Sequence, residues 1–313
     1  GEAGMARRVF WLFRHNARPW MKQVAAAIER HRPDLVHTGN TAFSNMPAAL
    51  AARRQRVPVV SYQKGFEHGG RPNRYVLRRG FYDHHIACSN AVAERMFELG
   101  LPRDRCTVLY DGVAQPPEGF DAAPRADDTP VVAMYSLLQR WKGQDVFLRA
   151  AALVAPRFGG AVEFVVVGAD TSREGLRRAR LEALVAELGL GGRVRLSGKW
   201  EDTADVLPSF DLFVSASRSE AFGMAMVEAM ACGVPVVATA TEGAREVVEH
   251  GASGLVVPIG DVHALAEAVA SLLADGARRK RLGESARESA RERFGLGRMI
   301  EATERVYAEA LGL

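Results

Sequence analysis

The chain has 313 residues, 48% of them apolar and 25% charged, the balance of a globular protein long enough for two ordinary domains rather than of a disordered or fibrous one. Its 41 basic and 37 acidic residues leave a formal charge of +4, too small an excess for nucleic-acid binding, and short basic runs such as Arg53–Arg54, Arg78–Arg79 and Arg278–Lys280 are expected to be solvated faces. Three scattered cysteines (Cys88, Cys106, Cys232) without a CxxC pair argue against a disulfide framework or zinc site and for the cytoplasm, and the N-terminal apolar run Val9–Phe13 is far below the roughly 20 residues that span a bilayer.

In chain order, the first third predicts a helix near 18–31, a strand at LVHT, a helix near 44–55, strands at VVSYQ and HHIACS, a helix near 90–99 and a strand at TVLY. Residues 111–130 concentrate Pro, Gly, Asp and Ala and read as a linker. From Val131 the alternation strengthens: VVAMYS, a helix near 142–157, VEFVVVG, a helix near 173–188, VRLSG, DLFVSAS, a helix and PVVAT. Runs such as Val162–Val167, apolar at nearly every position, suit strands buried on both faces of a parallel sheet, and an open doubly wound sheet binds ligands at its strands' carboxyl ends. The expected domains are 1–115, a linker at 116–130, and 131–313 with a helical tail that breaks near Phe294–Leu296.

The chemistry concentrates in SRSEAFGMAMVEAMACGVPVVAT. Glu220 precedes a helix and Glu228 lies inside it. Eight residues of helix separate them by roughly 12 Å, within about a quarter turn of each other, a span that suits the two ends of a sugar nucleotide. Glu228 is the one polar side chain between Gly223 and Cys232, so its carboxylate needs donors. Ribose hydroxyls would supply them; a core arginine would do so equally. The turn Ala221, Phe222, Gly223, Met224 opens the helix, where free N–H groups and the dipole favour a diphosphate. In QRWKGQD, Arg140 and Lys142 follow the first strand of this domain and are placed to hold phosphate oxygens. Gly168 ends VEFVVV, either to admit a nucleoside or as a plain turn.

Together Glu220-x7-Glu228, WKGQD, GVPVVAT and EVVEHGASGLVVPIGD resemble the retaining glycosyltransferases of family four. That resemblance covers about 84–310, and PDLVHTGN and VPVVSYQKG resemble two of the family's N-terminal strands. It implies a GT-B fold of two Rossmann-like parallel-sheet domains and a nucleotide diphosphate sugar donor on the second. Glu220 would lie near the transferred sugar, the backbone of residues 222–224 near sugar and diphosphate, Glu228 on the ribose, and Lys199 and Trp200 near the base. It also implies a hexose passed to a sugar or lipid-linked acceptor with retention, with neither cofactor nor metal; the chain contains no DxD triplet. The same architecture serves nucleotide-sugar epimerases and sugar-phosphate synthases, and a non-catalytic sugar-nucleotide binder is a further alternative.

Two positions depart from the family pattern. Leu137 stands where an arginine is usual, so Arg140 is expected to contact phosphate from another direction. Lys64 stands where many members place a histidine beside the transferred sugar. The family's opening strand, glycine-rich loop and following units have no counterpart before PDLVHTGN, so the N-terminal domain is expected to be incomplete.

Other features read more plainly. His84, His85 and Cys88 share a strand without further ligands, which argues against a metal. GRVRLSGKW lacks the spacing and the hydroxyl residue of a P-loop. His37 ends a strand and is a weak cleft candidate. ARRVFWLFRHNARPW mixes basic and aromatic residues as membrane-surface helices do, which leaves a peripheral lipid contact open beside packing on the neighbouring sheet.

Overall fold

The computed structural model describes residues 18–66, 71–116, 129–198 and 206–313. They form two compact units, one of residues up to Asp111 together with 297–313, the other of 112–296.

The first unit carries strands β1 (Val36–Gly39), β2 (Val59–Gln63), β3 (His84–Ala87) and β4 (Cys106–Val108), all parallel and in the order β1-β2-β3-β4. Every residue of β2 is buried, as a central strand covered on both faces requires. Around the sheet lie α1 (Arg18–His31), α2 (Ala42–Arg54), α3 (Arg71–Arg78) and α4 (Asn90–Glu98). The side chains of Thr41 and Ser89 start α2 and α4 by accepting the N–H groups of Ser44 and Val92. Helix α3 is the crossover that joins parallel β2 to β3, which its arginine-rich sequence does not announce.

The second unit holds β5 (Val131–Tyr135), β6 (Glu163–Val167), β7 (Val194–Ser197), β8 (Leu212–Ser215), β9 (Val236–Thr239) and β10 (Gly254–Val257) in the parallel order β10-β9-β8-β5-β6-β7. Counted within the unit this is the doubly wound order 3-2-1-4-5-6. Its crossovers are α5 (Gln144–Val154), α6 (Leu176–Glu187), α7 (Met224–Ala231) and α8 (Glu242–Val247), followed by α9 (Val262–Ala274) and α10 (Gly276–Phe294). Leu148, Phe164, Leu212 and Leu265 lie in a core with less than 2% of each exposed. Because β6 and β7 are laid down on one side of β5 and β8 on the other, the winding reverses between β5 and β8, and the carboxyl ends of these two strands are the switch point at which sheets of this order form their ligand crevice.

The tail behaves differently from the sequence reading, which placed it with the second domain. The expected break falls between α10 and a final helix, α11 (Leu296–Leu311), at Gly295 in extended geometry. Beyond it the chain joins the first unit, where the Tyr307 hydroxyl lies 2.7 Å from His37 Nδ1 and the two rings meet edge to face. An amphipathic helix follows the surface that covers its apolar stripe, and periodicity alone does not say which surface that is.

Candidate functional site

Two loops build the site. After β5 the chain makes a single 3₁₀ turn, Arg140–Lys142, and enters α5 through Gly143. Gly143 has φ +76° and presses against the Ala216 carbonyl of the β8 loop, so a side chain there would be both strained and blocked. Gln144, 4% exposed, anchors the loop by donating its amide to Ser136 Oγ (3.1 Å) and the Leu137 carbonyl (2.9 Å).

After β8, Ser217 is buried, and its carbonyl accepts the Thr239 hydroxyl at 2.5 Å. Its own hydroxyl faces Glu220 Oε2 at 3.3 Å. The Glu220 carbonyl accepts the Gly243 N–H at 2.9 Å, which fixes the residue's backbone. Across the crevice, Lys142 Nζ lies 2.6 Å from Glu220 Oε2, with the two side chains 21% and 16% exposed. Residues 78 positions apart thus form a partly desolvated ion pair at the switch point of the sheet.

The turn Ala221–Met224 follows directly. Gly223 holds φ +104° and caps α7 without any side-chain hydrogen bond. The N–H groups of Met226 and Val227 return to the Gly223 carbonyl, while no acceptor for those of Met224 and Ala225 exists among the described residues. The start of α7 therefore keeps donors available for an anion. Phe222 buries its ring edge to face against Phe294, 5.6 Å between centroids, so the turn contributes backbone rather than side chain.

One turn into α7, Glu228 is half-buried, and burial raises its pKa above the ordinary carboxylate range. No arginine or other donor among the described residues pairs with it, which leaves the ribose alternative standing. Tyr135, the last residue of β5, feels its charge: burial first and Glu228 second raise the phenol. Tyr135 was not singled out in the sequence, where it reads as the end of a buried strand.

Sequence reasoning also missed a clasp between the two loops. Arg218 donates to both oxygens of Asp145 (2.9 and 2.7 Å) and to the Arg140 carbonyl (2.9 Å), and its backbone N–H meets the Trp141 carbonyl at 2.6 Å. Burial alone would raise Asp145; the fork of hydrogen bonds and the charge of Arg218, with nearby backbone N–H groups, overcome it and hold the carboxyl below its usual range. The Lys142 loop and the Glu220 loop are thereby tied together.

Of the remaining expected residues, Arg140 is exposed and engages the clasp through its carbonyl alone among the hydrogen bonds described. Leu137 stands 45% exposed on the β5 loop. The space beside Gly168 is filled by the Ser136 carbonyl, a close approach of two strand ends. Lys64 belongs to the first unit, where its ammonium meets Asp111 at 2.9 Å above the Tyr62 ring. His37 lies in that unit too, its pKa lowered by partial burial and then by Lys64. Lys199 and Trp200 lie outside the described residues.

Two α/β units with parallel sheets, and a crevice between the β5 and β8 loops of the second, define a GT-B glycosyltransferase fold. The family model for glycosyl transferases group 1 matches residues 117–289 and that for glycosyltransferase family 4 matches residues 4–114; the chain belongs to this family. It is 33% identical over 266 residues to a D-inositol 3-phosphate glycosyltransferase of Nocardia farcinica, covering 82% of this chain and 57% of that protein. It is 32% identical over 211 residues to the lipopolysaccharide core biosynthesis glycosyltransferase LpsE of Rhizobium meliloti, covering 65% of this chain and 58% of the relative. The chain thus spans less than two thirds of the length of either. Among solved structures it is similar to Anabaena HepE in complex with UDP and glucose, with a TM-score of 0.82 and 26% identity over 93% of this chain and 82% of that one.

Proposed function

We propose that the chain is a retaining, metal-independent glycosyltransferase that moves a hexose from a UDP-sugar to a sugar or lipid-linked acceptor in glycan assembly, at or near the cytoplasmic face of the membrane. The observation that carries this reading is the Lys142–Glu220 pair at the switch point, followed by the uncapped start of α7. UDP is the carrier nucleotide suggested by the HepE complex, and glycan assembly is suggested by LpsE.

Each group has a task that its chemistry fits. Lys142 is a compact cation able to exchange the single charge of Glu220 for the larger charge of a diphosphate. The N–H groups opening α7 face the same charge, so electrons arriving on the leaving diphosphate meet a fixed positive field. Glu220, released from Lys142, accepts hydroxyls of the transferred sugar. Glu228 accepts ribose hydroxyls, which supply the donors its half-buried carboxylate lacks. Among the described residues no helix is long and apolar enough to cross a membrane, and a contact with lipid in this reading is peripheral.

The exposed Leu137 favours a second reading, a domain that holds a sugar nucleotide without transferring it. Melting curves with UDP-, GDP- and ADP-sugars, paired with a transfer assay, separate the two. A ligand at about 100 times its Kd raises stability by about 2.7 kcal/mol. Stabilisation by UDP-sugars with transfer supports the enzyme, and stabilisation without transfer supports the binder. No stabilisation by any donor, or an unchanged response in Lys142→Ala, removes both.

A further inference from the structure

Arg140 enters a different environment from the one its sequence position suggests. It lines a cavity of about 440 Å³ between the β5 loop and helix α6. Arg177 and Arg180 of α6 line the same cavity, and neither Lys142 nor Glu220 does. Among the described residues no carboxylate pairs with any of these three guanidinium groups, whereas the intervening Arg178 is taken up by Glu182 and the Leu196 carbonyl.

The charge balance of the wall is lopsided. Asp145 is on it, but Arg218 already holds both of its oxygens. Glu187 is the one other acid. Three arginines and one unengaged carboxylate thus line the cavity, an excess of positive charge that attracts an anion. Part of the lining is apolar: Leu138 and Leu184 are buried, and Leu181 is partly so. A lining that mixes leucine with guanidinium groups fits a pyranose ring, whose C–H face rests on hydrocarbon while a charged substituent reaches arginine.

We propose that this cavity is a second ligand site, separate from the Lys142–Glu220 crevice, that takes a sugar carrying a phosphate or carboxylate group. It goes beyond the donor reading and does not depend on it, since none of its arginines is needed to hold the ion pair. Both sites border one loop: the cavity touches it at Leu138–Arg140, and the crevice at Lys142.

Calorimetry on the full chain with glucose 6-phosphate, glucuronate and glucose, each with and without UDP, tests the proposal. The expected result is binding of one or both anionic sugars, none of glucose, and no competition from UDP; which anion binds distinguishes phosphate from carboxylate. Arg177→Ser/Arg180→Ser should weaken that binding at least tenfold and leave UDP affinity unchanged. The single exposed change Arg180→Gln, which spares the fold, should weaken it several-fold. The proposal is overturned if neither anionic sugar binds, if glucose binds equally, if UDP competes, or if the arginine variants bind as the parent does. Should UDP itself fail to bind, the donor reading falls while the sugar titrations still decide this one.

Discussion

In the first unit each crossover sets the next strand one place further along, β1 to β4, whereas the second unit lays down β5 to β7 and then returns to place β8 on the other side of β5. Both units end their strands in a lysine–carboxylate contact. In the first, Asp111 is buried and engaged twice, by Lys64 at 2.9 Å and by the Tyr62 hydroxyl at 2.8 Å. In the second, Glu220 is held by Lys142 and by little else than a 3.3 Å contact with Ser217. A carboxylate satisfied by protein on several sides has the character of a strut; one with a single strong partner, at the switch point of its sheet, has the character expected of a site. Topology makes that difference, not composition.

The sharpest way to break this contrast is to remove the lysines. Lys142→Ala or Glu220→Gln should lower turnover by about 10²–10³-fold, the usual loss when a preorganised electrostatic group is deleted. Lys64→Ala should lower it by less than about tenfold; initial rates with the donor found by melting decide, and equal losses would erase the distinction.

Acid should separate the units next. His85 is 2% exposed, with no partner for Nδ1 among the described residues, and burial, then the charges of His84 and Arg105, lower its pKa to about 3. An unfolded histidine titrates near 6.5. The stability that neutral His85 secures is whole above about 6.5 and drains as pH falls towards about 3 at up to ~1.4 kcal/mol per pH unit. Amide exchange between pH 7 and 5 should find the β3 amides losing protection before those of β5, and His85→Leu should reduce the gap.

A smaller effect tests the clasp within the second unit. Arg218→Ala should cost about tenfold in kcat/KM for donor, ~1.4 kcal/mol, by loosening the register of the two loops. Adding Asp145→Ala should cost little more, since the two act as one element; full additivity of the losses would mean that they do not.

The smallest change concerns Glu228. Its raised pKa means that the folded state disfavours the ionised form, so its contribution to stability is present below about 4.3 and lost as pH rises through the elevated value. Glu228→Gln should therefore raise the Tm of the ligand-free protein at neutral pH while weakening donor binding several-fold. In the parent, donor affinity should fall as the pH drops through the raised value and Glu228 takes up its proton, and titrations across a pH series check the sign.

Much of the second unit was legible in its sequence. The strands around Val132, Val165 and Val214 are apolar runs between turn residues, and Glu228 was conspicuous as a lone charge in an apolar helix. Lys142 and Glu220 could be named separately, but their contact requires the β5–β8 pairing, which no local pattern encodes. Arg218 and Asp145 lie inside the stretches SRSEAFG and WKGQD but carried no signal of their own, for the same reason: nothing local pairs a loop arginine with a carboxylate in the first turn of a distant helix. Strand β10 and helix α3 were missed because GLVV is short and RPNRYVLR is too polar to signal a crossover. The tail's destination escaped because an apolar stripe does not name the surface it covers.

Val113 and Gly295, close to the two points at which the chain leaves the second unit, are bridged to each other, with Val113 donating to the Phe294 carbonyl and Leu296 to that of Val113. Two strands of chain far apart in sequence are thus stitched side by side within the second unit. Since the Phe294 ring also packs on Phe222, the same stitch that anchors residues 113 and 295 backs the turn between the two glutamates.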